Sequence, residues 1–249
     1  MKRLIAVAVV SAGLLSAGVA NAAPVSGTFT LTGENDAEAR VGANYIDFLL
    51  ANGAFGPPSG DFEVNGATGD FASLISGGDL GDILDLFNEP VGSAIAIDNF
   101  VEFEDATLPD WNFQLTTINP GAGTDAACDA PTTAGDVCTP AGPPGFTSPF
   151  TLINLANGGP PSTATLSMKG SLYEGTTLIG LWTATFTTPL DEYTAESAIQ
   201  QIEDEGFVQS SWAGDFTVTP FNAPVPEPAS LALMGLAFAG MGIAMRRRK

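Results

Sequence analysis

Apolar residues in this chain recur mostly at every second position, and a period of two commits a chain to half-buried strands. Thr28-Phe29-Thr30-Leu31-Thr32 alternates cleanly, with a threonine face for water and an apolar face for a core. Asp61 to Val64, Ile95 to Phe103, Trp111-Phe113-Leu115, Thr163 to Tyr173, Leu178 to Thr187 and Asp215 to Thr219 repeat the pattern. Asn65-Gly66 is read as a type I′ hairpin turn leading into a further strand from Ala67 to Ile75, and Glu174-Gly175 as a second turn. Eight or more short strands separated by turn residues predict an all-β body, a single antiparallel β-sandwich or barrel-like fold.

Two segments carry a helical period instead. Ala195, Ala198, Ile199 and Ile202 fit a short helix over residues 194–205, with Thr194 as N-cap and Gly206 just past its end. Leu80, Ile83, Leu84 and Phe87 also fit a helix, although glycines precede them. Residues 119–149 are rich in proline and small residues and read as a long loop. A loop of that length inside a compact body needs a function or a staple. Cys128 and Cys138 are the only cysteines, and a disulfide between them would supply the staple in an oxidising compartment.

The ends differ in kind from the body. Lys2 and Arg3 precede an apolar run from Leu4 to Val19, and Ala20-Asn21-Ala22 supplies small–x–small. This reads as a signal peptide over 1–22, cut after Ala22 by signal peptidase. At the other end Val225-Pro226-Glu227-Pro228 leads into 17 mostly apolar residues from Ala229 to Met245, then Arg246-Arg247-Arg248-Lys249. Seventeen residues is about the lower limit for a membrane-spanning helix, and the basic cluster would stay cytoplasmic. The β-rich ectodomain then occupies 23–224, exported across the inner membrane and held there transiently by the C-terminal helix.

In its order of parts, residues 225–249 resemble the PEP-CTERM sorting signal of Gram-negative bacteria. The resemblance implies recognition by exosortase, a membrane-embedded cysteine transpeptidase that would cut near Pro226-Glu227-Pro228. It also implies a place at the cell surface or in the extracellular matrix, in association with exopolysaccharide or biofilm. The body is fainter in its likeness. Thr68-Gly69-Asp70-Phe71-Ala72, Ser148-Pro149-Phe150-Thr151-Leu152, Met168-Lys169-Gly170 and Ala213-Gly214-Asp215-Phe216-Thr217 resemble uncharacterised β-rich ectodomains that carry the same tail. That likeness implies no activity.

Charge narrows the partners. Of 28 acidic residues only Glu227 lies outside the body, and Arg40 and Lys169 are the body's only cations, which leaves it near −25. Such a surface repels phosphate backbones, so nucleic acid is excluded as a partner. Neutral glycan, divalent cation or a cationic surface remains. The chain has no histidine, which removes Ser-His-Asp and Cys-His catalysis and histidine metal sites.

The remaining constellations are weak. Glu102, Glu104, Asp105 and Asp110 are candidates for a glycosidase acid/base pair, but no spacing singles out two of them. Asp79, Asp82 and Asp85 recur every three residues, and on a helix they would share one wet face; calcium is the cation such oxygens would hold. Trp111, beside Pro109 and Asp110, is the better surface candidate for stacking on sugar, whereas Trp182 reads as core; Trp212 is the third indole. Ser167 and Lys169 would share one strand face, the minimum for a Ser–Lys dyad. The expectation is a non-enzymatic, cofactor-free structural or interaction protein, with a carbohydrate-binding module as the alternative and an acid/base glycoside hydrolase behind both.

Overall fold

The structure is a computed structural model and describes residues 23–54, 59–105, 107–128, 133–142, 144, 147–156 and 159–221. The signal peptide, the sorting motif and the C-terminal apolar segment lie outside these residues.

Among the described residues the chain forms β1 (Gly27–Gly33), β2 (Ala39–Val41), β3 (Tyr45–Phe48), β4 (Ser59–Ala67), β5 (Leu80–Leu84), β6 (Leu86–Phe87), β7 (Val101–Phe103) and β8 (Trp111–Ile118). It continues through β9 (Val137–Cys138), β10 (Phe150–Ala156), β11 (Gly159–Glu174), β12 (Thr177–Leu190), α1 (Ala195–Glu205), β13 (Val208–Ser210) and β14 (Ala213–Pro220). The all-β architecture expected from the alternation is present, with one α-helix. A large sheet runs in the order β7-β5-β4-β1-β14-β12-β11-β10-β9, and β8 pairs with the second half of β11. A smaller sheet runs β13-β2-β3-β6. Every ladder is antiparallel.

The large sheet curls without closing. The Phe100 N–H donates to the Phe113 carbonyl at 2.9 Å, and Ile97 and Leu115 exchange bonds of 3.1 and 2.9 Å. These contacts draw β7 toward β8 but do not join them into a ladder.

Alternation makes the core. Phe29 on β1 lies opposite Phe216 on β14, and their rings stack at 4.7 Å. Phe71, Phe103 and Phe113 surround Phe29 with ring centroids 5.1–5.8 Å away. Phe48 of the smaller sheet meets Phe186 at 5.5 Å and Trp212 at 4.7 Å, so the two sheets pack face to face. Each of these buried rings contributes about 1.5–3 kcal/mol by leaving water. Thr28, Thr30, Asp215, Thr183 and Thr185 stand on the outer face.

The helix forms as its sequence indicates. The Ser197 N–H donates to the Thr194 hydroxyl at 3.1 Å, and the Thr194 N–H donates to the Ser197 hydroxyl at 2.9 Å. Gly206 ends the helix at φ 88°, and its N–H reaches the Ile202 carbonyl at 2.9 Å. Ala195 and Ala198 pack on Leu152, Ala164, Leu190, Val208 and the two cysteines in a second apolar cluster.

Three expectations are corrected. Asn65-Gly66 closes no hairpin: β4 runs through it, and the register with β1 slips between Thr30↔Gly66 and Leu31↔Val64, so Asn65 is the extra residue of a bulge. Residues 69–73, expected as strand, wind into a 3-10 turn that buries Phe71. The segment 80–87 is β5 and β6, not a helix. Gly81 and Ile83 point inward there, and a Cβ on Gly81 would fall 2.4 Å from the Phe62 ring.

Both ends of the body meet at one residue. The N–H groups of Val25 and Phe221 donate to the same Ile179 carbonyl, at 3.3 and 3.2 Å. No described helix is long and apolar enough to cross a membrane.

Candidate functional site

Trp111 opens β8 facing inward, because residues 111, 113 and 115 share the core side of that strand. It is only 9% exposed and packs edge-on to Phe71 at 5.4 Å and to Phe103 and Phe113 at 6.3 Å each. The expected surface platform is therefore a core residue. Its neighbours misled the reading: Pro109 and Asp110 are outside, and the strand turns inward at the next residue.

One margin of Trp111 lines a cleft of about 300 Å³ together with Glu102, Asp105, Leu108, Pro109 and Asp110. The fold thus gathers three of the four candidate carboxylates around one indole and leaves Glu104 out of the lining. The Asp105 carboxylate accepts the Thr107 N–H at 2.8 Å. That bond, with a second from the Thr107 hydroxyl, holds Asp105 below the usual carboxylate range. A glycosidase acid must be held above that range to carry its proton. Asp105 is held ionised and does not suit the acid role, which leaves only the nucleophile or base role of such a pair open to it.

Asp79, Asp82 and Asp85 share no face. Asp79 accepts the Ser76 N–H at 2.8 Å and closes a turn. Asp82 stands on the outer side of β5, opposite Asp61 of β4 and Glu102 of β7. Burial, then Asp61, Glu104 and Glu102, raise its carboxyl. Asp85 accepts the Phe48 N–H at 2.7 Å between the two sheets, and burial pushes it up to about 7. Among the described residues no group of three or more acidic or cysteine side chains is arranged to hold a metal ion.

Trp182 is 1% exposed, stacks on Phe100 at 6.0 Å and donates its indole N–H to the Ser171 carbonyl at 3.2 Å. Trp212 is 3% exposed. The buried indole N–H groups of Trp111 and Trp212 find no acceptor among the described residues. Ser167 and Lys169 do share the outer face of β11. Lys169, however, is exposed, between Thr117 and Thr183 on the neighbouring strands. Nothing buries it against Ser167 as a Ser–Lys dyad requires.

Cys128 and Cys138 are bonded, with Cα atoms 5.2 Å apart. Cys138 lies in β9 opposite Leu152 of β10, so the bond ties the long loop to the sheet edge.

A second cleft, of about 500 Å³, has no counterpart in the sequence reading. Thr32, Asn35, Asp36, Glu63, Asn65 and Ser211 line it, with Gly33 and Trp212. These residues come from three separate segments, and no spacing in the chain announces them.

Ala20, Ala22, Val225, Pro226, Glu227 and Pro228 lie outside the described residues, so the comparisons bear on the terminal signal where the geometry does not. No curated protein and no solved structure matches the chain. A family model does match over residues 224–249, that of the PEP-CTERM protein-sorting motif, and the chain therefore carries the sorting signal of an exosortase-targeted, exported protein of the cell envelope or its exterior.

Proposed function

We propose that this protein is a structural or interaction component of the cell surface or extracellular matrix, associated with exopolysaccharide or biofilm, and not an enzyme. Signal peptidase removes residues 1–22, the apolar segment 229–245 holds the chain transiently in the inner membrane, and exosortase cuts near Pro226-Glu227-Pro228. The observation that carries this reading is the sorting motif at 224–249, which follows a body with only two cations. The disulfide suits the oxidising exterior. Carbohydrate binding is the second reading, favoured by two buried indoles that lack an acceptor and line clefts.

Deletion of residues 226–249 tests the proposal. Intact mass of the exported wild-type protein should end near residue 228, and the protein should fractionate with envelope or matrix. The deletion variant should move to the soluble exported fraction. Exported wild-type material that still contains Leu231 to Lys249 would refute processing.

A further inference from the structure

We propose that the outer face of the smaller sheet binds a chain of neutral sugar residues, with the Phe87 ring as its stacking platform. The proposal rests on the matrix reading above, which supplies such a polymer, but its geometry stands separately.

Alternation splits this sheet into two faces. Ala39, Val41, Ile46, Phe48, Leu86 and Val208 point into the core. The opposite face carries two ranks of side chains that run across the strands. In the first, Tyr45 of β3 lies opposite Phe87 of β6 and beside Gly42, whose N–H donates to the Tyr45 carbonyl at 3.0 Å. A Cβ on Gly42 would fall 2.1 Å from the Tyr45 ring, so that ring lies across the sheet over the glycine. The Tyr45 hydroxyl donates to the Gly206 carbonyl at 3.0 Å and fixes the ring at its far end. Phe87 stacks on Tyr45 at 5.2 Å with the planes 21° apart. It is still 48% exposed, and it is the only exposed aromatic ring among the described residues. In the second rank Gln209, Arg40 and Asp47 are cross-strand neighbours. The Arg40 guanidinium lies over the Phe207 ring at 4.3 Å and its Nε–H donates to the Gln209 side chain at 2.9 Å. Gln209 in turn donates to the Glu38 carboxylate at 2.5 Å.

The two ranks together decide the ligand class. A ring already fixed in place offers an apolar face at little entropic cost. A sugar has an apolar C–H face to lay on it and a rim of hydroxyls for the polar rank. Asn88, the residue after Phe87, is held left-handed at φ 57°. Its side-chain oxygen accepts from the Asn44 amide, which leaves its own NH2 for a sugar oxygen. Glu38 has lone pairs left to accept a hydroxyl proton. A wholly apolar partner would strand Arg40, Gln209 and Glu38 beneath it at a desolvation cost. An anionic polymer would meet Glu38 and Asp47 around the single arginine of a body near −25. From Phe87 to Phe207 the face crosses four strands, about 14 Å at the usual spacing. That length suits several linked sugars and not one.

Calorimetric titration of the exported protein with cellohexaose, maltohexaose and chitohexaose tests the proposal, with oligogalacturonate as the anionic probe. At least one neutral hexaose should bind saturably, and the disaccharide of its series more weakly. Phe87→Ala should weaken that binding about tenfold and Gln209→Ala about threefold, with the circular dichroism of each variant unchanged. Leu181→Ala, at a residue 45% exposed on the large sheet, should leave it as it is. Should Phe87→Ala fail to fold, Gln209→Ala on the surface still decides. No binding of any neutral hexaose, binding of oligogalacturonate alone, or affinity unchanged in the folded variants overturns the proposal. A dimer in sedimentation that Phe87→Ala dissolves gives the face to a second copy and also overturns it. None of these outcomes touches the processing test, which is read from mass and fractionation.

Discussion

Asp85→Asn should stabilise the protein at neutral and alkaline pH and do little in acid. Asp85 sits between the sheets, where burial is the first cause of its raised carboxyl and nearby Asp47 adds to it. The Phe48 N–H bond pulls the other way but does not win. Asp47 is itself raised by burial, with Arg40 opposing. A carboxyl raised from its ordinary 3.8 to about 7 holds its proton more tightly in the folded state than in the unfolded one. Stability therefore falls as pH rises from about 4 to about 7, and the full penalty persists above 7. In a dry site the penalty would be about 4 kcal/mol. Asp85 is only half-buried, and solvent screening reduces this to about 1–2 kcal/mol. Asparagine keeps an oxygen for the Phe48 N–H and cannot ionise. Melting curves at pH 8 should show a gain of about 3–6 °C for the variant, shrinking as pH approaches 4. A variant no more stable than wild type at pH 8, or equally stabilised at both pH values, would refute the reasoning.

Two further outcomes follow from the fold. Reduction of the Cys128–Cys138 bond should cost about 2–3 kcal/mol in the chain-entropy model, read as a lower melting temperature with reductant than without. Thr194→Ala removes the acceptor for the Ser197 N–H and should cost about 1 kcal/mol in denaturant titration, whereas Thr194→Ser should cost little.

Some strands were legible from large inward apolar side chains, whereas β3, with Ile46 and Phe48, and β10, with Phe150 and Leu152, went unread, and the strand expected over 95–103 forms only at Val101–Phe103. Phe29 and Leu31 announce β1, and Trp111, Phe113 and Leu115 announce β8. Glycine defeats the same reading. In β5 the inward positions are Gly81 and Ile83, so only one of the two is visible as apolar, and Leu80, Leu84 and Phe87 then mimic a helical stripe. The absent side chain at Gly81 makes room for the Phe62 ring, a requirement set by a different strand. Asn65-Gly66 failed for a related reason: its preference for a turn is local, and pairing with β1 before and after Asn65 overrides it with a bulge. The helix was legible down to its caps because capping uses residues within one turn of each end. The clefts were not. The Trp212 cleft joins residues near 32, 63 and 211, and only the sheet order β4-β1-β14 brings those segments together.

β14 is the last described strand, and it lies in the middle of the large sheet. It pairs with β1 from Gly27↔Val218 to Thr32↔Ala213 and with β12 from Gly180↔Pro220 to Thr187↔Ala213. Any tether pulling beyond residue 221 loads this strand along its own axis. Two ladders then resist in shear at once, and many hydrogen bonds must break together instead of peeling one by one from an edge. The N-terminal approach is pinned to the same Ile179 carbonyl as the exit, so both ends of the body lie at one pole of the large sheet. A C-terminal attachment, if processing leaves one, would therefore be carried by two ladders at once, a mechanical consequence of strand order.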